Sequence, residues 1–380
     1  MNADKQQKNQ SHYTKTKQKL TEKMGVENTD YREESLDLNN PFDIKLVSEF
    51  LEPLGFDFDP HDVDYTMILY NLNDEVIGTG SFKGRVLKYV AVAPKFREGA
   101  AFPQIVTHLI DLVILEHKHI FVYTKPRNLE VFKGLGFTEI ATAEPLFSVL
   151  EFGYENIKTY QDYLRSIRKD VNVGNIAAVV VNCNPFTRGH KYLIEKACRE
   201  NRLVYLFIVE EDRSSFTFDI RWRLIKEELG HIENLVMVKG GNYVVSGTIF
   251  PSYFLKEEKQ SDIAAKQAEL DVITFLSYIV PILNINRRYV GTEMYSPVTA
   301  AYNEAMIKYL PSNGVELLEI PRITCGGDDN YISASKVRQA IREDRLNEVL
   351  DYLPDSTKNF LLADESQEIR EKIKATVSRH

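Results

Sequence analysis

Thr187-Arg188-Gly189-His190 places a hydroxyl, a glycine and an imidazole within four residues. Glycine lets the backbone approach a ligand closely, and the unbonded N–H groups where a helix starts attract phosphate. An imidazole fixed there can donate hydrogen bonds to charge that builds as pyrophosphate leaves a nucleotide. Preset donors of this kind are the large term in phosphoryl-type transfer. A lone histidine in that position would read as a buried capping residue. The lead-in Asn184-Pro185-Phe186 and the Thr-x-Gly context favour catalysis for His190, with Thr187 giving its hydroxyl to the same phosphates. Lys191 is either a further member of the cluster or a solvated helix lysine. Far downstream, Ile332-Ser333-Ala334-Ser335-Lys336-Val337-Arg338 forms a second group. Ser333 or Ser335 can cap a helix that turns Val337 and Ile341 inward. Lys336 and Arg338 then fall in its first turn, where cations oppose the helix dipole unless an anion is bound. Together these residues predict a polyphosphate site, and they must supply it because no G-x-x-x-x-G-K-[ST] loop occurs. Cys183 beside the first motif reads as a small buried apolar residue, with an acyl-carrying thiol as the other possibility.

The elements that must position these groups follow from hydrophobic pattern. Ile176–Val181 is a continuous apolar, β-branched run, which predicts a strand buried on both faces. Further strands are expected at Leu203–Val209, Leu235–Val238, Arg288–Val290 and Val315–Ile320. Helices are expected between them, at about His190–Glu200, Asp219–Leu229, Asp262–Ile279 and Thr299–Tyr309. Such alternation implies a Rossmann-like parallel five-stranded sheet in order 3-2-1-4-5, with helices on both faces. Ligands bind outside the carboxyl ends of its first and fourth strands. Topology would therefore bring the Thr187–His190 turn and Gly291-Thr292-Glu293 together.

Ahead of this domain, residues 41–152 read as a separate α+β domain, with strands at Thr66–Asn71, Val76–Phe82, Val86–Ala93 and His119–Thr124 and a helix from about Phe102 to His117. Residues 1–40 are expected to be a flexible polar tail, 153–174 a linker helix, 175–362 the second domain and 363–380 a charged tail. Hydrophobic residues make up 43% of the 380 and charged residues 27%, the balance of an ordinary globular protein. A net charge of −8 speaks against nonspecific nucleic-acid binding. Three cysteines without metal-type spacing suit free thiols in a reducing cytoplasm. No apolar leader or spanning run is present, so neither secretion nor a membrane span is expected.

The strand–turn–helix around Thr187–His190 resembles the T/H-x-G-H signature of the nucleotidyltransferase α/β-phosphodiesterase superfamily, and Ile332–Arg338 resembles its I-S-S-T-x-x-R element. The resemblance implies ATP binding by Asn184, Pro185, Phe186, Gly189, Gly291, Glu293, Ser333, Ser335 and Lys336, with His190, Thr187 and Arg338 acting on the phosphates. Gly291 and Glu293 match a G-x-D/E element that lies against adenine and ribose, with a plain turn as the alternative. Arg221 matches an arginine facing the acyl or phosphate substrate. Arg223 is close enough to take that place, and either could be a surface ion-pair residue. No protein metal site is expected, and Mg²⁺ would arrive with ATP on phosphate oxygens and water.

The first domain resembles the GNAT-type acetyltransferase fold. Its Arg97-Glu98-Gly99-Ala100-Ala101 is one residue short of the R/Q-x-x-G-x-G/A loop that holds acetyl-CoA, and Gly136-Phe137 fits the terminal strand pair. Acetyl-CoA is the ligand implied there, unless the domain is a degenerate sensing or structural one. This pairing of domains, with Asn182–Thr187, Thr248–Lys256 and Tyr289–Glu293, resembles the citrate lyase ligase family over roughly Pro41 to Leu362. The resemblance implies an ATP-dependent acetate ligase. It would form acetyl-AMP and pyrophosphate, then acetylate the phosphoribosyl-dephospho-CoA thiol on the acyl-carrier subunit of citrate lyase. Rival readings are an adenylyltransferase of the phosphopantetheine type, an acetyl-CoA-dependent acetyltransferase and an acetyl-CoA sensor without enzymatic activity.

Overall fold

Ile176-Ala177-Ala178-Val179-Val180-Val181 holds no side chain that needs water, and its β-branched residues favour extended backbone. In the computed structural model this segment is the central strand of a sheet. The structure describes residues 31–171, 173–210, 214–244, 254–255, 258–292, 297–325 and 331–375. Two units divide the chain: Met1–Thr159 with Phe250–Leu270, and Tyr160–Ile249 with Asp271–His380.

The first unit contains β1 (Arg32–Ser35), α1 (Pro41–Leu51), β2 (Tyr65–Tyr70), β3 (Val76–Lys83), β4 (Val86–Val92), α2 (Ala101–Val113), β5 (His119–Thr124), α3 (Leu129–Lys133), β6 (Thr138–Ala143) and β7 (Phe147–Gly153). The sheet order is β1-β2-β3-β4-β5-β7-β6. All neighbours are antiparallel except β4 and β5, which pair in parallel only at Val86–Phe121 and Leu87–Val122 before diverging. Helix α2 lies close on β3 because two glycines admit it. A Cβ at Gly78 would stand 2.5 Å from Ile105 Cδ1, and one at Gly80 2.6 Å from Ile105 Cγ2. A cavity of about 880 Å³ opens where β4 and β5 part, lined by Val90–Val92, Val122–Thr124, Arg97, Lys125, Arg127, Phe254 and Leu255.

Two boundaries differ from expectation. The polar N-terminal stretch was expected to be free to residue 40, yet Arg32–Ser35 pairs with β2 and Leu36 and Leu38 are buried. Phe250–Leu270, expected in the second domain, groups with the first unit. Its Phe254 ring meets Phe147 edge-on at 5.7 Å.

Helix α4 (Ile157–Ile167) lies within the stretch expected as a linker and buries Leu164. The chain then runs β8 (Ile176–Val181), α5 (Arg188–Glu200), β9 (Leu203–Ile208), α6 (Phe218–Leu229), β10 (Leu235–Lys239), α7 (Gln260–Tyr278), α8 (Val280–Leu283), β11 (Arg287–Gly291), α9 (Pro297–Tyr309), β12 (Glu316–Ile320), α10 (Ala334–Arg342), α11 (Asp355–Leu362) and α12 (Gln367–Ala375), all in the second unit except α7 up to Leu270. The strands form a fully parallel sheet in order β10-β9-β8-β11-β12, the expected 3-2-1-4-5 arrangement. Ala177, Val179 and Val181 of β8 pack with Ile194, Ala197 and Cys198 of α5. A second apolar layer joins Val337 and Ile341 of α10 to Phe360, Leu361, Ile369 and Ile373. The expected charged tail is thus helical through Ala375. Its charges flank an i, i+4 isoleucine pair that faces α10. Among the described residues no helix is long and apolar enough to cross a membrane.

Candidate active site

β8 ends at Val181, and the chain turns through Cys183 at φ 56° and a cis Asn184–Pro185 bond. Neighbouring loops tie this turn down. Asn184 Oδ1 accepts from the Phe216 N–H at 3.1 Å, and Ser214 Oγ donates to Asn182 Oδ1 at 3.2 Å. Arg221 is fully buried and donates to the carbonyls of Asn182 at 2.8 Å, Val209 at 2.7 Å and Phe216 at 3.0 Å. Buried carbonyls at strand ends need donors, and a guanidinium supplies several in a fixed fork. Arg221 therefore stands on main chain at the ends of β8 and β9, not against an open substrate face as expected. Arg223, its competitor, pairs with Glu365 at 3.0 Å.

At the start of α5, His190 Nδ1 lies 3.1 Å from the Thr187 amide nitrogen and 2.9 Å from Thr187 Oγ1. An amide N–H can only donate, so Nδ1 is the acceptor and the ring proton sits on Nε2. Phe186 stacks on the imidazole with ring centres 6.3 Å apart. Burial, with the positive charge of Arg322 second, pushes the His190 pKa down to about 4. The ring is thus neutral at pH 7, with one N–H donor held by its own helix cap.

The second motif docks onto this turn. Ser333, not Ser335, caps α10: its Oγ accepts from the Lys336 N–H at 3.3 Å, and Ser335 Oγ lies 2.6 Å from it. Arg338 is 9% exposed and donates from Nη1 to the Asn184 carbonyl. Ile332 abuts the glycine, its carbonyl 3.7 Å from where a Gly189 Cβ would stand. Motifs 154 residues apart in sequence therefore share one turn. Two helix starts, Lys336, Arg338 and a neutral imidazole donor make a surrounding that fits a polyphosphate.

β11 ends at Gly291, where an added Cβ would meet nothing within 4 Å. Thr292 then bonds the end of β12: its N–H donates to the Ile320 carbonyl at 3.0 Å. Glu293 lies outside the described residues. Sequence reasoning missed Arg322, whose Nε donates to the Thr292 carbonyl at 2.8 Å and whose N–H reaches Thr292 Oγ1 at 3.3 Å. The available signal was position alone: Arg322 is the first cation past the carboxyl end of β12, beside β11.

Lys191 is not the solvated helix lysine of the alternative reading. It pairs with Glu228, which also accepts from the Ser356 N–H at 3.0 Å. Cys183 is buried, and desolvation raises its thiol pKa, which suits the apolar reading. Among the described residues no group of three or more His, Cys, Asp or Glu could hold a metal ion.

A family profile described as the citrate lyase ligase C-terminal domain matches residues 176–361. Across 324 residues the chain is 33% identical to [citrate [pro-3S]-lyase] ligase of Haemophilus influenzae, covering 84% of this chain and 95% of that protein. Proteins of the same name from Klebsiella pneumoniae and Escherichia coli are each 33% identical, over 78% and 76% of this chain and 86% and 82% of theirs.

Proposed function

The chain belongs to the citrate lyase ligase family, and from that premise we propose that it activates acetate with ATP and transfers the acetyl group to a thiol on citrate lyase. The thiol is that of the phosphoribosyl-dephospho-CoA arm on the acyl-carrier subunit. In the first step an acetate oxygen attacks the α-phosphorus of ATP, the bond to the β-phosphate bridging oxygen breaks, and pyrophosphate leaves with acetyl-AMP formed. In the second the thiolate attacks the acetyl carbonyl, the carbonyl–phosphate C–O bond breaks, and AMP leaves.

His190 contributes its Nε2–H to phosphate charge that grows as pyrophosphate departs. It is suited to this because Thr187 fixes its tautomer and burial keeps it neutral. Arg338, Lys336 and the capped start of α10 hold the departing pyrophosphate, and Gly189 lets the phosphates approach the main chain. Gly291 leaves space for the adenosine at the end of β11. Mg²⁺ would offset charge on phosphate oxygens. No residue here is asked to be a nucleophile, and positioning with charge stabilisation supplies the rate.

The observation that carries this reading is the bond from Arg338 of α10 to the Asn184 carbonyl in the turn that leads to His190. The test is isotope exchange between pyrophosphate and ATP with a panel of short carboxylates, with and without the thiol-bearing carrier. Acetate-dependent exchange is expected without the carrier. Exchange that needs a phosphomonoester such as phosphopantetheine, and ignores acetate, would replace this reading with an adenylyltransferase.

A further inference from the structure

We propose that Arg322 is a catalytic cation of this site, binding the α-phosphate and the incoming carboxylate as they meet. The inference rests on the acetate-activating reading and names the group that makes its first step feasible. Attack of a carboxylate on a phosphate brings two anions together, and a neutral imidazole offers them a donor but no charge. The basic groups that sequence suggested for this task are placed otherwise. Arg221 donates to three carbonyls, Lys191 pairs with Glu228, and Arg338 reaches the Asn184 carbonyl on the pyrophosphate side.

Arg322 arrives from a different direction. It follows the carboxyl end of β12, and Thr292 holds it at both its N–H and its Nε. Thr292 follows the carboxyl end of β11, next to the open space at Gly291. Fixing an arginine through its inner nitrogen sets the direction of the guanidinium before any ligand comes, so little reorganisation is needed during reaction. Its charge also acts on the His190 ring, which places the two groups in one electrostatic neighbourhood. Of the charged groups on the elements packed there, Lys191 and Glu195 on α5 form an ion-paired set with Glu228 on α6, and Arg338 on α10 donates to the Asn184 carbonyl; Arg322 is the charge that acts on the ring.

The test compares Arg322→Gln and Arg322→Lys with the unaltered full-length chain. Acetate-dependent exchange should fall by about 10²–10³ in Arg322→Gln and recover in part in Arg322→Lys. Calorimetric binding of ATP should weaken in the same order. Loss of the neighbouring positive charge should raise the His190 pKa in Arg322→Gln, read by imidazole NMR titration, with Lys restoring it. Thr292→Val, which keeps the carbonyl bond to Nε but loses the hydroxyl, gives a milder loss and serves if Arg322→Gln fails to fold. Normal exchange, normal ATP binding and an unmoved His190 titration overturn the inference. If the unaltered chain shows no acetate-dependent exchange, the proposed function fails instead, and binding and titration still decide the role of Arg322.

Discussion

The state of His190 can be tested with one titration. Thr187 N–H donates to Nδ1, and burial with Arg322 lowers the pKa to about 4 from an ordinary 6.5. At pH 5.5 a group with a pKa near 4 is almost entirely neutral, whereas an ordinary imidazole would be about nine-tenths protonated. The two cases differ by roughly tenfold in active enzyme at that pH. A second proton on Nδ1 would also break the bond from the Thr187 N–H and set two cations against each other. We therefore expect kcat/KM for ATP, which reports free-enzyme groups, to show no His190 limb between pH 5.5 and 7. The sign for stability follows from the lowered folded pKa. Between about 6.5 and 4 the unfolded chain binds a proton that the folded chain does not, so stability falls as pH drops through that window. The loss attributable to His190 is roughly 3 kcal/mol at most, and His190→Gln should lack it. NMR of labelled imidazole, assigned with that variant, reads both tautomer and pKa. An Nδ1–H tautomer, or a pKa near 6.5 with a matching activity limb, would refute the reasoning.

Other expectations follow from the same geometry. Gly189→Ala should fold normally, since its Cβ would meet Thr187 and Ile332 only at 3.6 Å or more. Its KM for ATP should nevertheless rise several-fold, and an unchanged KM would mean no ligand approaches there. Arg338→Lys should weaken ATP binding by about tenfold, because an ammonium cannot hold the Asn184 carbonyl and a phosphate in one planar fork. Isothermal titration checks it. Arg221→Leu should abolish folding or cost several kcal/mol in denaturant melts, since it leaves buried carbonyls at the ends of β8 and β9 without donors. A stable Arg221→Leu protein defective only in catalysis would restore the substrate-facing role expected from sequence.

The sheet was legible because β8, β9 and β10 are short apolar runs between helical patterns, and the alternation of strand and helix admits few topologies. The placement of His190, Thr187, Ser333 and Arg338 at two helix starts was legible because a cap, a glycine and cations in a first helical turn make an unusual local pattern. Arg221 misled because sequence shows an arginine near the start of a helix but not which way it points; three carbonyls decide that. Arg322 was silent because the bonds that fix it come from Thr292, just past the neighbouring strand, and pairing between strands is not written locally. At the C-terminus, Ile369 and Ile373 are two apolar residues among charges. Their value appears only once α10 offers a face to cover.

The Asn184–Arg338 bond also has a bearing on how the protein is made. Translation delivers the Asn182–His190 turn well before the residue that completes it, 154 positions later than Asn184. At ordinary elongation speeds that interval is on the order of ten seconds. During it an unfinished polypeptide can form β8 and α5 yet lacks the arginine that fastens the turn between them. A message cut short before Arg338 would yield chains in which the Asn184 carbonyl lacks this donor, so the turn is completed only late in synthesis.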